Sequence, residues 1–170
     1  MKRILFLFCI NTIAFCSCQK SNEKPSGSDP WNGKNLVGKW TTVKMTISLK
    51  FDDGSVQTVT PSVKAGDFME FAYTKTEVRT SEGTYTGQAF GLTSSGSWDL
   101  ENWSGRLSFR AVDTDGGVAF AYRKVQTLDS KKLILTADDE LIKEAYHING
   151  LNGGPGKKVV GGSIYEEYSK

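Results

Sequence analysis

Apolar and polar residues alternate along several short segments of this chain, most clearly between residues 43 and 51. The apolar positions there are Val43, Met45, Ile47, Leu49 and Phe51, and polar residues lie between them. A period of two predicts a β-strand with one buried face. Asp52-Asp53-Gly54 follows directly and predicts a hairpin turn. This segment is the strongest strand prediction in the chain.

The same alternation predicts further strands along the chain. They are Met69–Tyr73, Leu107–Ala111 and Val118–Tyr122. Lys132–Thr136 and Ser163–Tyr168 are two further strand candidates. Clusters of turn-forming residues lie between them, at Ser81–Gly83, Ser94–Gly96, Glu101–Gly105, Asp113–Gly117 and Asp129–Lys131. Strands of this length at this spacing are typical of an antiparallel meander.

Each predicted strand is apolar on one face, so the sheet has to bury that face. Pairing with a second sheet or closing into a barrel would bury it, and closure also removes exposed edges. Residues 36–170 have room for about eight to ten strands, the size of a small up-and-down barrel. Asp138–Ile148 alone has helical spacing. We predict an all-β fold, an antiparallel up-and-down meander closing into a small barrel, with at most one short helix.

The first 17 residues have a different pattern, which predicts a signal peptide. Lys2 and Arg3 precede the apolar run Ile4–Ile10, and small residues lead up to Cys18. The position of Cys18 resembles a bacterial lipoprotein signal, which is cleaved just before that cysteine. An ordinary cleaved signal with an incidental cysteine is the alternative. The apolar run is shorter than the ~20 residues of a membrane-spanning helix.

Cysteine usage favours the lipoprotein interpretation. Of the three cysteines, Cys9, Cys16 and Cys18, only the last would remain after cleavage, and acylation would consume its thiol. In bacterial lipoproteins this cysteine carries a diacylglycerol and usually a fatty amide, and two or more chains hold a protein stably on a membrane. We expect lipidation at Cys18, a flexible polar tether over residues 18–35, and an outer-membrane location facing either the periplasm or the cell surface.

Charge argues against a nucleic-acid partner. The chain has 21 basic and 19 acidic residues, and its leader holds two of the basic residues and no acid, so the remainder is formally neutral. A nucleic-acid binder needs a basic surface, which this balance does not predict. The expected partners are a membrane, through the acyl chains, and a possible small hydrophobic ligand. The sequence identifies no protein partner.

Short motifs resemble the lipocalins. Gly38-Lys39-Trp40, just before the first long strand, is similar to the Gly-x-Trp opening of lipocalins and more closely to that of lipocalin-like domains on lipoproteins of Bacteroidota. Gly96–Leu100 and Lys132–Thr136 also resemble that family. The resemblance implies a lipocalin-like barrel over residues 36–170, with Trp40 closing one end.

Two departures from the lipocalin pattern accompany this resemblance. In lipocalins an arginine of the last strand stacks on the Gly-x-Trp tryptophan, but the last predicted strand, Ser163–Tyr168, contains no arginine. The Thr-Asp-Tyr motif of the family is matched only at Thr114-Asp115.

A search for catalytic and metal-binding motifs is negative. His147 is the only histidine, and Glu144–His147 is one copy of a spacing that di-iron sites need twice. No Gly-x-Ser-x-Gly elbow is present. Gly150–Gly162 lacks the spacing of a phosphate loop, and Asp113–Gly116 lacks the remaining ligands of a calcium loop. We therefore predict no enzymatic activity, no cofactor and no metal.

The apolar strand faces carry the candidate ligand-binding residues. They are Trp40, Met45, Ile47, Leu49, Phe71, Tyr73, Phe109, Phe120 and Tyr122. These side chains either line a lumen for a small hydrophobic ligand, with loops near Ser94 and Gly153 as its rim, or fill a solid core. A filled core would favour a non-enzymatic scaffold or adhesin that binds a protein or glycan through its loops, where Trp31 and Trp103 are expected to be exposed.

Overall fold

The computed structural model describes residues 30–89, 92–112, 118–148 and 157–170, without the side chains of Val112 and residues 146–148. Cys18, the leader and most of the predicted tether lie outside the described residues. So do the turn predicted at Asp113–Gly117, the rim loop around Gly153 and the side chain of His147. No described helix is long and apolar enough to cross a membrane.

Within these ranges the chain forms nine strands and two helices. The strands are β1 (Gly38–Phe51), β2 (Val56–Val59), β3 (Phe68–Glu77), β4 (Thr80–Ala89), β5 (Leu92–Glu101), β6 (Arg106–Val112), β7 (Val118–Leu128), β8 (Lys132–Ala137) and β9 (Val159–Ser169). The helices are α1 (Gly33–Leu36) and α2 (Asp139–Ile148). The predicted helix corresponds to α2, whereas the four-residue α1 was not predicted.

Eight of these strands close into a barrel. The order is β1-β3-β4-β5-β6-β7-β8-β9, each strand is antiparallel to its neighbours, and β9 pairs back onto β1. β2 pairs with the C-terminal half of β1, beyond the stretch that pairs with β3. Closure leaves the ring without a free edge. The predicted all-β, up-and-down barrel of about eight to ten strands is confirmed.

A bulge in β1 changes which residues point inward. Trp40 and Thr42 are buried, and a register shift between Thr42 and Lys44 makes Met45 the next buried position. Val43, which the alternation predicts on the buried face, is therefore 50% exposed. A bulge inserts one extra residue and bends the strand, so one long strand can supply inward side chains on both sides of it.

Two predicted turns are wrong, because they lie inside strands. Ser81–Gly83 is part of β4 and Ser94–Gly96 is part of β5, and the turn between β3 and β4 is instead at Val78-Arg79. A Cβ on Gly83 would overlap the carbonyl oxygen of Ala72. Glycine within a strand often marks such a close approach.

The end of the predicted tether packs on the barrel, contrary to expectation. The amide of Trp31 donates to the carbonyl of Asn102 at 3.1 Å, and its ring is partly buried against the core. Leu36 of α1 has no exposed surface. Packing on the barrel therefore begins before the expected boundary at residue 36, because Trp31 and Leu36 supply apolar surface to the core.

Candidate functional site

Trp40 lies at the end of the barrel where β1 begins, called here the closed end. It has no exposed surface, and its indole Nε1 donates to the carbonyl of Leu36 in α1 at 2.6 Å. The ammonium of Lys170 lies 4.1 Å from the centre of the ring. Trp40 and α1 thus form a floor under the barrel interior.

Cross-strand register identifies the side chains that face the interior, because directly paired residues of an antiparallel ladder project to the same side. One row joins Ser81, Leu100, Leu107 and Arg123. It lies next to the floor on β4, β5 and β6, whereas on β7 Val125 lies between Arg123 and the floor. The next row joins Gly83, Trp98, Phe109 and Ala121. A third row, farther from the floor, joins Tyr85, Gly96, Ala111 and Ala119.

Exposure of the inward-facing residues increases with distance from the floor. Leu100 and Leu107 are 0% exposed, whereas Gly96 and Ala111 in the third row are partly exposed. Across the barrel, Ile47 of β1 is also partly exposed. The barrel interior is therefore sealed at the floor, and on one side of its upper half the wall consists of small residues.

Seven of the predicted lining residues lie on the inward face. They are Trp40, Met45, Ile47, Leu49, Phe71, Tyr73 and Phe109. Tyr85 faces the same space and was missed, because it lies beside the wrongly predicted turn at Ser81–Gly83. Tyr85 and Phe109 are in edge-to-face contact with ring centres 5.1 Å apart, which makes this part of the wall rigid and aromatic.

The prediction that Phe120 and Tyr122 line the lumen is wrong. Phe120 pairs with Arg110, and Tyr122 pairs with Ser108, on the outer face of the sheet. Ala121 between them faces inward, opposite Phe109. Large residues thus alternate with alanines in this strand, and the alanines are the inward-facing ones.

Phe120 and Tyr122 instead border an open groove of about 650 Å³ on the outer face of the barrel. Arg106 lies 4.6 Å from the centre of the Tyr122 ring and pairs with Glu144 of α2 at 2.6 Å. Burial, and then the charges of nearby carboxylates, raise the pKa of Asp99 in this groove. Tyr122 is buried although it faces outward, because Arg106 lies over it.

The inner wall contains an ion pair that sequence analysis missed. Nε and Nη2 of Arg123 donate to the two carboxylate oxygens of Glu166 at 3.0 and 2.9 Å. Nη1 donates to the carbonyl of Tyr122 at 2.9 Å. Arg123 pairs with Leu107 in the first of the rows described above. A bidentate geometry of this kind is among the strong charge-assisted hydrogen bonds in proteins.

Glu166 and Tyr168 extend this polar site along β9. Glu166 pairs with Met45 and is 5% exposed, and Tyr168 is 2% exposed. Burial, reinforced by the charge of Glu166, raises the pKa of Tyr168 well above its ordinary value. The Tyr168 hydroxyl therefore stays protonated beside the carboxylate.

α2 packs at the opposite end from the floor, where β1 and β8 end and β9 begins. Ile142 of α2 is buried with Phe51, Ala137 and Val159 in a second apolar cluster. Asp139 accepts a hydrogen bond from the amide of Gly162 at 2.7 Å and one from Lys50 at 3.0 Å. α2 is thus held against β9 at this end of the barrel.

Among the described residues, no group of three or more His, Cys, Asp or Glu side chains is placed to hold a metal ion. No family model matches this chain, and no curated protein matches it. Among solved structures the chain is similar to EF1p2_mFAP2b bound to DFHBI, with 10% identity over 85% of this chain and 99% of that chain. The TM-score is 0.39, a likeness too low to carry an argument about function.

Proposed function

We propose that this protein is a membrane-tethered, lipocalin-like binding protein that holds a small, mainly apolar ligand in the upper half of its barrel. The observation that carries the proposal is the contrast between a sealed floor and partly exposed inward residues above it. A pocket lined by apolar side chains with a few placed polar groups is typical of small-molecule sites. Burial of the ligand would provide ~25 cal/mol per Å² of apolar surface.

A variant that fills the upper lumen tests this proposal. Ala111 faces inward in the third row, so Ala111→Phe would occupy the proposed site. Ala72 is exposed on the outer face of β3, so Ala72→Phe adds the same ring outside the barrel and serves as the control. The probe is 1-aminoanthracene, an uncharged apolar fluorophore, titrated into the mature chain.

We expect Ala111→Phe to weaken probe binding at least about tenfold, or about 1.4 kcal/mol, while Ala72→Phe binds like the unmodified chain. Organic extracts of the mature chain purified from its host should also contain a bound small molecule by mass spectrometry. A chain that binds no probe and carries no extractable molecule would contradict the proposal.

The membrane tether rests on the leader and on Cys18. Metabolic labelling with an alkyne fatty acid should mark the full chain and fail to mark Cys18→Ser. The labelled chain should sediment with membranes, and Cys18→Ser should not. A mature N-terminus without acylation would refute the tether and leave the barrel proposal unaffected.

The scaffold or adhesin hypothesis keeps one specific observation in its favour. Trp103 is 54% exposed and Val78 is 95% exposed, on two neighbouring turns joined by a hydrogen bond from Asn102 to the carbonyl of Arg79 at 2.8 Å. Large exposed apolar residues are common at interaction sites. Binding on a glycan or protein array that is lost in Trp103→Ala, with 1-aminoanthracene binding unchanged, would support this second function.

A further inference from the structure

The ligand chemistry can be inferred from the charges that face the lumen, an inference that rests on the proposed function. Among the inward-facing described residues of the barrel, Arg123 and Glu166 are the charged ones, and they bind each other in a bidentate pair. Their charges cancel within the wall. The described inward face of the barrel therefore carries no net charge.

Arg123 is less buried than its neighbour in the row. The side chain of Arg123 keeps 16% of its surface exposed, although Leu107, its partner in the row, is fully buried. A guanidinium group carries five N–H donors, and the hydrogen bonds to Glu166 and to the carbonyl of Tyr122 use three of them. Two N–H groups of Arg123 take no part in these three bonds.

We propose that the Arg123–Glu166 pair selects ligands with an apolar body and one uncharged hydrogen-bond acceptor, such as an alcohol, ester or ketone oxygen, over ligands with a carboxylate. An uncharged oxygen accepts a free N–H of Arg123 without disturbing the ion pair. A carboxylate would bring an additional negative charge next to Glu166, in a site that excludes most water, and burial of an uncompensated charge is costly.

The apolar part of such a ligand would lie above the pair. Phe109 and Ala121 form the next row, and Ala111 and Gly96 the row beyond it. A ligand whose acceptor atom binds Arg123 would therefore extend its apolar body along the part of the barrel wall that carries small side chains. The polar end enters first, and the apolar body fills the upper lumen.

Three compounds with the same alkyl chain test the selection. Dodecanol, methyl dodecanoate and dodecanoate are titrated calorimetrically into the mature chain at about pH 8, where a carboxylate is ionised. We expect the alcohol and the ester to bind at least about tenfold more tightly than the carboxylate. This comparison uses the unmodified chain, so it decides the question even if no variant folds.

Glu166→Gln tests the cause of the preference. It leaves the charge of Arg123 uncompensated, so we expect the preference to reverse by about tenfold in favour of dodecanoate. Glu167 is the adjacent residue on β9 and pairs with Lys132 at 2.8 Å, with its side chain 23% exposed. Glu167→Gln removes a carboxylate at the neighbouring position, on the opposite face of the strand, and should leave the preference unchanged.

The outcomes separate the two proposals. If the unmodified chain binds none of the three compounds and no 1-aminoanthracene, the proposed function fails and the selection falls with it. If it binds the carboxylate as tightly as the alcohol, or if Glu166→Gln and Glu167→Gln give the same preference, the binding function stands and the selection by Arg123 and Glu166 is overturned.

Discussion

The ammonium of Lys170 lies 4.1 Å from the centre of the Trp40 ring and donates to the carbonyl of Val37 at 2.7 Å. The resemblance to lipocalins implies an arginine of the last strand at this place, and β9 has none. Lys170, the residue directly after β9, supplies the cation instead. Burial lowers the pKa of Lys170, because its ammonium gives up part of its hydration to reach the ring.

Replacement of Lys170 should destabilise the packing at the closed end of the barrel. Lys170→Met removes a cation–π contact and a hydrogen bond, each worth roughly 0.5–1 kcal/mol at a partly exposed site. We expect the free energy of unfolding to fall by about 1–2 kcal/mol in urea titrations followed by tryptophan fluorescence. Lys170→Arg should retain most of this stability, and Lys124→Met, at an exposed lysine of β7, should change it little. Equal losses in both methionine variants would contradict a specific role.

Gly83 should be intolerant of a side chain. A Cβ there would overlap the Ala72 carbonyl oxygen and lie 2.7 Å from the Trp98 ring. The indole Nε1 of Trp98 donates to the carbonyls of Ala72 and Thr84 at 3.1 and 3.0 Å, so the ring cannot move without losing these bonds. We expect Gly83→Ala to destabilise the barrel by about 3 kcal/mol in urea unfolding, as severe overpacking does.

Gly87 provides the matched control for this substitution. It faces inward four residues after Gly83 in β4. The nearest atom to an added Cβ there is the Ser94 hydroxyl oxygen at 3.3 Å. A hydroxyl can rotate away, so Gly87→Ala should cost far less than Gly83→Ala. Similar unfolding midpoints for the two variants would show that close approach is not the reason for glycine in β4.

Removal of one partner of the Arg123–Glu166 pair should be strongly destabilising. Arg123→Met leaves the carboxylate of Glu166, which is 5% exposed, without its counter-charge. Breaking a buried pair in this way costs about 3–5 kcal/mol, whereas replacing both partners by apolar residues is often neutral. We expect Arg123→Met to unfold at much lower urea and Arg123→Met/Glu166→Leu to recover most of the loss. A double variant no better than the single one would contradict this account.

Sequence patterns sufficed to predict the fold class because the strands have one apolar face and one polar face. The alternation from residue 43 to 51 and the turn at Asp52-Asp53-Gly54 match β1 and the β1–β2 turn, with Val43 displaced by a bulge. Ser81–Gly83 and Ser94–Gly96 misled the analysis, because serine and glycine are typical of turns. In these strands glycine instead allows a close approach, since a Cβ on Gly83 or Gly96 would overlap a backbone carbonyl oxygen. Local composition does not separate these two uses.

The site was harder to predict than the fold, because its polar centre is formed by residues distant in sequence. Arg123 and Glu166 are 43 positions apart, and a lysine or arginine in a strand ordinarily indicates the solvent face. The opposite error was made for Phe120 and Tyr122, which were predicted on the inner face because they are aromatic. An aromatic residue can be buried on the outer face when another side chain, here Arg106, lies over it.

Acid should weaken the attachment of α2 through Asp139. Hydrogen bonds from Lys50 and then from the amide of Gly162 lower the pKa of this carboxyl below its ordinary value of 3.8. A lowered pKa in the folded state means that the ionised carboxylate stabilises the fold above pH 3.8 and that this contribution is lost as the pH falls below it. Asp139→Asn should therefore unfold at lower urea than the unmodified chain at neutral pH, and the difference should shrink below pH 3.8. Glu140→Gln, at the exposed neighbouring position, is the control and should unfold close to the unmodified chain at neutral pH. A gap between Asp139→Asn and the unmodified chain that stays constant with pH would mean that the charge of Asp139 does not hold α2 to β9.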